Sequence, residues 1–263
     1  MLICIPSTKS HNYRLTSYLT FNTSFVNGVH ANGVIKNELE SLISHLPHAA
    51  KVVWPGRTSI RRMIELFSCF RNPYHPIRLN SEFRRDLQWW YEFLSVWNGT
   101  SFWLYPGIAL VHGIEVVSDA SGAIGYGAFF NREWFNGKWL ASQSKQSIAY
   151  KELFPVVLAA HVWGSRWARQ HVLFRSDNEA VVTVLNKRTS KVPDLMRLVR
   201  SLLSAAARHG FYFSSEHITG KSNLIADALS RFNWQEFRRA APTAYLHPTQ
   251  PSSMLIANLT CPP

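Results

Sequence analysis

The sequence predicts a mixed α/β fold: a five-stranded mixed sheet flanked by helices, preceded by a small helical region. Three observations predict it. Apolar residues recur at helical spacing from Glu38 to about Gly99. From Ile114 short β-rich runs replace that pattern, in the order β-β-β-α-β-α-α-β-α. A meander followed by strand–helix alternation implies a mixed sheet with helices packed on it.

Residues 1–37 are polar and aperiodic and predict an irregular N-terminal extension. Leu39, Leu42, Ile43 and Leu46 have helical spacing that stops at Pro47. Ile60, Met63, Ile64 and Phe67 suggest a second helix, with Arg57, Arg61 and Arg62 on its polar side. Asn80 reads as the N-cap of a third helix, whose stripe is Phe83, Leu87, Trp90, Phe93, Leu94 and Trp97. Residues 38–100 thus form a helical region. Its basic face is either a phosphate-contact surface or a solvated one.

The runs "IEVVSDAS", "AIGYGAFF" and "EWFNGKWLA" predict three strands, with Asn136-Gly137 as a turn signal. A long helix follows from about Ser147 to Trp167, and Pro155 should bend its first turns or mark its start. "HVLFRSD" is a strand and "NEAVVTVLN" a short helix. "VPDLMRLVRSLLSAAARHG" is a longer helix stopped by Gly210, then "FYFSSEHIT" the last strand and "LIADALSR" the last helix. From Asn233 to residue 263 the chain is Pro-rich and predicts a linker or tail.

The 263 residues carry a formal net charge of +12. Lys51, Arg57, Arg61, Arg62, Arg71, Arg78, Arg84 and Arg85 face only Glu65 and Glu82 in the same stretch. Such clustering points to a polyanionic partner, with nucleic acid foremost. Cys4, Cys69 and Cys261 are too few and too scattered for a disulfide framework or a cysteine zinc site. With no secretory signal, this predicts an intracellular setting, cytoplasmic or nuclear. No apolar run reaches the ~18 residues of a membrane span, so no membrane partner is expected. The oligomeric state stays open.

Five of the 16 acids are Asp: Asp86, Asp119, Asp177, Asp194 and Asp227. Asp119 and Asp177 end strands, where ligand chemistry gathers in open sheets. Glu152 lies early in the long helix, and Asp227 early in the last one. Each has an ordinary reading: Asp119 as a turn residue, Asp177-Asn178 as a helix cap, Glu152 as a surface acid. Asp227 is harder to dismiss, because it interrupts an apolar stripe. Together, converging carboxylates repel unless a cation compensates them. Oxygen donors alone favour Mg²⁺, with Mn²⁺ as an alternative, and two such ions serve in-line phosphodiester cleavage. Gly220-Lys221-Ser222 is no phosphate loop, since the position five residues before Gly220 is Ser215.

The ordered set "SDAS", "KELF", "RSDN" and "HITGKSNLIADALSR" resembles the type 1 ribonuclease H domain of retroelement reverse transcriptases. The acid spacings of 33 (119 to 152), 25 (152 to 177) and 50 (177 to 227) suit that family's Asp-Glu-Asp-Asp signature. The pattern "ELFPVVLAAHVWG…VLFRSDNEAVV" leans toward tyrosine-recombinase retrotransposons of the DIRS and Ngaro type. The resemblance covers residues 114–232. Upstream, residues 38–100 look like the thumb and connection segments. No Asp-Asp dipeptide occurs, so the polymerase signature is absent. The chain therefore resembles a C-terminal piece of a reverse transcriptase, with no polymerase activity expected.

The resemblance implies a ribonuclease H-like fold and metal-dependent cutting of the RNA strand of RNA–DNA hybrids. It implies Asp119, Glu152, Asp177 and Asp227 as ligands of two Mg²⁺ ions, with Glu152 also near the substrate 2′-hydroxyl. It implies His217 as a proton carrier, against the plainer reading of a strand-end histidine. Asn178 and Asn223 are candidates to contact substrate or brace the site. The alternative is a catalytically inactive, nucleic-acid-binding remnant with the same fold.

Overall fold

The computed structural model describes residues 113–260 continuously, and before them 56–70, 78–96 and positions 36, 37, 39, 40, 43, 44, 72 and 74. The chain divides into two compact units, Met1–Tyr105 and Pro106–Pro263.

In the first unit α1 spans Gly56–Phe67 and α2 spans Ser81–Val96. Ile60 and Met63 are buried on α1, though Ile64 of the same predicted stripe is exposed; on α2, Phe83, Leu87 and Trp90 are buried as the periodicity predicts. The Asn80 side chain accepts from the Phe83 amide at 2.8 Å and caps α2. Residues 39, 40, 43 and 44 are helical within the helix expected from Leu39 to Leu46. Lys36 and Asn37 are helical too, where aperiodic sequence predicted none. The rest of the N-terminal extension lies outside the described residues, as do the side chains of Arg57, Arg61 and Arg62.

The second unit is built on β1 (Ile114–Ala120), β2 (Gly125–Phe130), β3 (Glu133–Lys138), β4 (His171–Ser176) and β5 (Tyr212–His217). The sheet order is β3-β2-β1-β4-β5. β1–β2 and β2–β3 are antiparallel, and β1–β4 and β4–β5 are parallel. This is the predicted five-stranded mixed sheet. The helices are α3 (Ala141–Ser144), α4 (Ile148–Trp163), α5 (Glu179–Lys187), α6 (Pro193–His209) and α7 (Leu224–Ser230). Two more, α8 (Trp234–Ala240) and α9 (Ser253–Thr260), follow.

Alternation along the strands assigns the two faces. Tyr126 and Phe135 meet α4, through Phe154 at 5.1 Å and Trp163 at 5.0 Å between ring centres. Trp134, next to Phe135, packs instead with Leu229 of α7 and Phe237 of α8.

Two expectations are corrected. Asn136-Gly137 lies inside β3, with Gly137 opposite Tyr126. A Cβ on Gly137 would stand 2.4 Å from the Tyr126 hydroxyl, so its glycine makes room for that ring. The turn is made by Asn131, at φ 60°, and Arg132. α4 begins where expected, at Ile148 behind its Ser147 cap, and continues through Pro155. Burial from Tyr150 to Ala160 offsets the one backbone hydrogen bond that proline removes.

The second correction is that the Pro-rich stretch after Asn233 is part of the domain. Phe237 is fully buried against Trp134, at 5.0 Å between rings. The Arg238 guanidinium donates to the carbonyls of Ala244, Tyr245 and Leu246. The Tyr245 and Thr249 amides donate to the carbonyls of Arg132, in the turn before β3, and of Trp134 on β3. Pro242, Pro248 and Pro251 fall between α8 and α9, where a missing N–H costs little. No helix among the described residues is long and apolar enough to cross a membrane.

Candidate metal centre

Parallel pairing of β1 and β4 sets Val117 opposite Arg175. Asp119 and Asp177 each lie two residues further on, so the pairing carries both acids to the same end of the sheet. Glu152 reaches them from the second turn of α4, whose direction is set by the apolar face buried on β1 and β2. One carboxylate oxygen from each of Asp119, Glu152 and Asp177 lies within 4.8 Å of the others.

The cluster is charged and poorly solvated. Asp119 is 5% exposed and Glu152 6%. Burial raises the Glu152 carboxyl to about 9, and the charges of Asp119, Asp177 and Asp227 push the same way; a hydrogen bond from the Ala120 backbone opposes them. Burial also raises Asp119, to about 6, against a hydrogen bond from Ser230. Oε2 of Glu152 is buried without a hydrogen-bond partner. A donor set of oxygens only, with one buried oxygen left over, fits a hard divalent cation.

Asp227 stands apart from this group. It lies in the first turn of α7, partly exposed, and its Oδ1 accepts from Arg231 Nε at 2.6 Å. Its charge still reaches both buried acids. His217 ends β5, its Nε2 3.1 Å from the Asp177 carbonyl oxygen. Asn178 caps α5, its Oδ1 accepting from the amides of Ala180 and Val181. Asn223 is 1% exposed, and its Nδ2 donates to the Ser118 carbonyl at 3.1 Å. That bond is of the bracing kind, and the Asn223 Oδ1 is buried without a hydrogen-bond partner. Gly220-Lys221-Ser222 forms a short 3₁₀ turn between β5 and α7.

Scans against protein-family models and against curated proteins match nothing. Among solved structures, the chain is similar to LC11-RNase H1 in complex with an RNA/DNA hybrid. The identity is 19% over 44% of this chain and 92% of that one, with a TM-score of 0.36. It is similar to the N-terminal RNase H domain of a Mycobacterium tuberculosis protein, at 19% identity over 49% of this chain and 99% of that one, TM-score 0.34. It is also similar to prototype foamy virus protease–reverse transcriptase, at 14% identity over 70% of this chain and 25% of that one, TM-score 0.27. The second unit is a five-stranded mixed sheet flanked by helices.

Sequence reasoning missed three residues around the acids. The Lys151 ammonium donates to the carbonyls of Gly122 and Ser144, at 2.5 and 2.8 Å, and holds the turn that follows Asp119. Ser230 donates to Asp119 Oδ2 at 2.5 Å. Gly127, the register partner of Asp119, has Leu229 lying against it. Only Ser230 left a signal, as the polar residue closing "ADALS" on an apolar helix face.

Proposed function

We propose that the second unit is a metal-dependent ribonuclease that cuts the RNA strand of RNA–DNA hybrids. The observation that carries this reading is the meeting of Asp119, Glu152 and Asp177 oxygens within 4.8 Å at one end of the sheet. Asp119 would serve both of two divalent ions, Glu152 and Asp177 would complete the ligand set, and Asp227 would hold the second ion, both Mg²⁺ or Mn²⁺ by their oxygen donors. When bound, such ions supply an activated water and charge compensation at the leaving oxygen.

The chain's own residues do the rest. The parallel strand ends hold Asp119 and Asp177 side by side, so a scissile phosphate meets a fixed array. His217, steadied at the Asp177 carbonyl, is placed to carry a proton at the cluster's edge. The products are 3′-hydroxyl and 5′-phosphate ends. Arg57, Arg61 and Arg62, with the +12 surplus, hold the polyanion without reading its sequence. Asn178 keeps only its Nδ2 for a substrate contact, since Oδ1 serves the cap. The block "HITGKSNLIADALSR" supports descent from a retroelement reverse transcriptase, and the pattern "ELFPVVLAAHVWG…VLFRSDNEAVV" favours the DIRS or Ngaro type.

The test is cleavage of an end-labelled RNA–DNA hybrid by the full chain with Mg²⁺ or Mn²⁺, beside Asp177→Asn. The expected result is metal-dependent cutting of the RNA strand that drops by at least ~100-fold in the variant. Hybrid bound without any metal-dependent product overturns the enzyme reading and leaves a binding remnant.

A further inference from the structure

Ser230 has no part in the reaction as proposed, yet it sits among the acids. It is fully buried, and its Oγ lies 2.5 Å from Asp119 Oδ2 and 3.0 Å from the Asp227 carbonyl oxygen. A hydroxyl has one proton. A helical serine ordinarily returns it to a carbonyl one turn back, here Asp227. The nearer acceptor is a carboxylate, whose charge makes the stronger bond.

The close approach is built in. Gly127 pairs with Asp119 across β1 and β2. A Cβ at Gly127 would stand 2.4 Å from Leu229 Cβ and 3.1 Å from the Ser230 amide nitrogen. Its absence lets α7 settle directly on the strands beside Asp119. At the other end of α7, Asn223 Nδ2 bonds the Ser118 carbonyl at 3.1 Å. Two consecutive residues of β1, Ser118 and Asp119, thus receive bonds from the two ends of the helix that carries Asp227.

We propose that Ser230 is a positioning residue of the metal centre: its hydroxyl sets the rotation of the Asp119 carboxylate and ties it to the Asp227 helix. An aspartate carboxyl turns broadly about its last torsion. Held by Ser230, it presents its free lone pairs to an ion without first being ordered by it. This role rests on reading the acidic cluster as a divalent-metal centre.

The experiment measures Mn²⁺ binding to the full chain by calorimetry, and the Mn²⁺ midpoint of hybrid cleavage, for wild type, Ser230→Ala and Ser230→Thr. Ser230→Ala should weaken Mn²⁺ binding about tenfold and raise the midpoint in step, with cleavage largely recovered at saturating metal. Ser230→Thr, which keeps the donor, should return both toward wild type. Wild-type Mn²⁺ affinity in Ser230→Ala overturns the proposal. If that variant gives no cooperative melt, Ser230→Cys decides by the same readings, since a thiol fills similar space but donates weakly. A wild-type chain that takes up no Mn²⁺ removes the centre itself, a failure visible before any variant is compared.

Discussion

Replacing Glu152 by Gln should stabilise the metal-free protein at neutral and alkaline pH. The folded state holds this carboxyl at about 9 against an ordinary value of 4.5, chiefly because burial strips water from the charged form. Between those two values the unfolded chain has released the proton and the folded chain has kept it. Stability therefore falls as pH rises through that window, by about 1.4 kcal/mol per pH unit. From 4.5 to pH 8 the full slope gives roughly 5 kcal/mol as an upper bound. Relaxation and water entry reduce it, so about 2–5 kcal/mol is the working range. Gln keeps the shape and never ionises, which removes the slope. For a domain of this size the gain is about 5–15 °C in Tm at pH 8. The assay is thermal melting followed by circular dichroism, in EDTA, at pH 5, 6, 7 and 8, for both proteins. The gap between them should be small at pH 5 and widen with pH. Added Mg²⁺ should raise wild type and leave the variant nearly unmoved, because the ion replaces the proton on the carboxylates. A gap that stays constant from pH 5 to 8 refutes the reasoning, since a pH-independent gain cannot come from ionisation.

Gly127→Ala should cost about 1–3 kcal/mol in urea unfolding and lower hybrid cleavage, because its Cβ overlaps Leu229 and forces α7 away from Asp119; an unchanged midpoint would show that the helix has slack. Phe237→Ala should cost about 3–5 kcal/mol, as expected for a ring with no exposed surface packed on Trp134. A wild-type denaturation midpoint in that variant would return the segment after Asn233 to the status of a tail. Asn178→Ala should cost about 1 kcal/mol through the lost α5 cap while hybrid affinity in a binding assay holds steady. A several-fold loss of affinity with unchanged stability would make Asn178 a substrate contact instead.

Much of this protein is legible in its local sequence. Alternating and helical apolar spacing mark the strands and helices, because each element must bury one face. Asp119 and Asp177 stand out as acids closing apolar strands, and Asp227 as an acid on an apolar helix. Where the reading failed, a distant partner had overridden a local preference. Asn136-Gly137 has strong turn character, yet Tyr126 on the neighbouring strand needs the space that Gly137 leaves. Pro155 removes a hydrogen bond from α4, yet the sheet on one side and α6 on another bury that helix from Tyr150 to Ala160. The prolines after Asn233 suggest a tail, yet Trp134 and Glu133 on β3 offer Phe237 and Thr249 their partners. By itself, then, the sequence determined the chemical inventory: four acids, a histidine, a basic surplus and the order of elements. Which of those acids meet was decided only in three dimensions. Parallel pairing of β1 and β4 closes a gap of 58 residues between Asp119 and Asp177, and α4 brings Glu152 to both. Asp227 pairs with Arg231 in this structure, and the buried Ser230 hydroxyl donates to Asp119. Such long-range pairings depend on register and on the space between packed elements, and neither is written in any short stretch of chain.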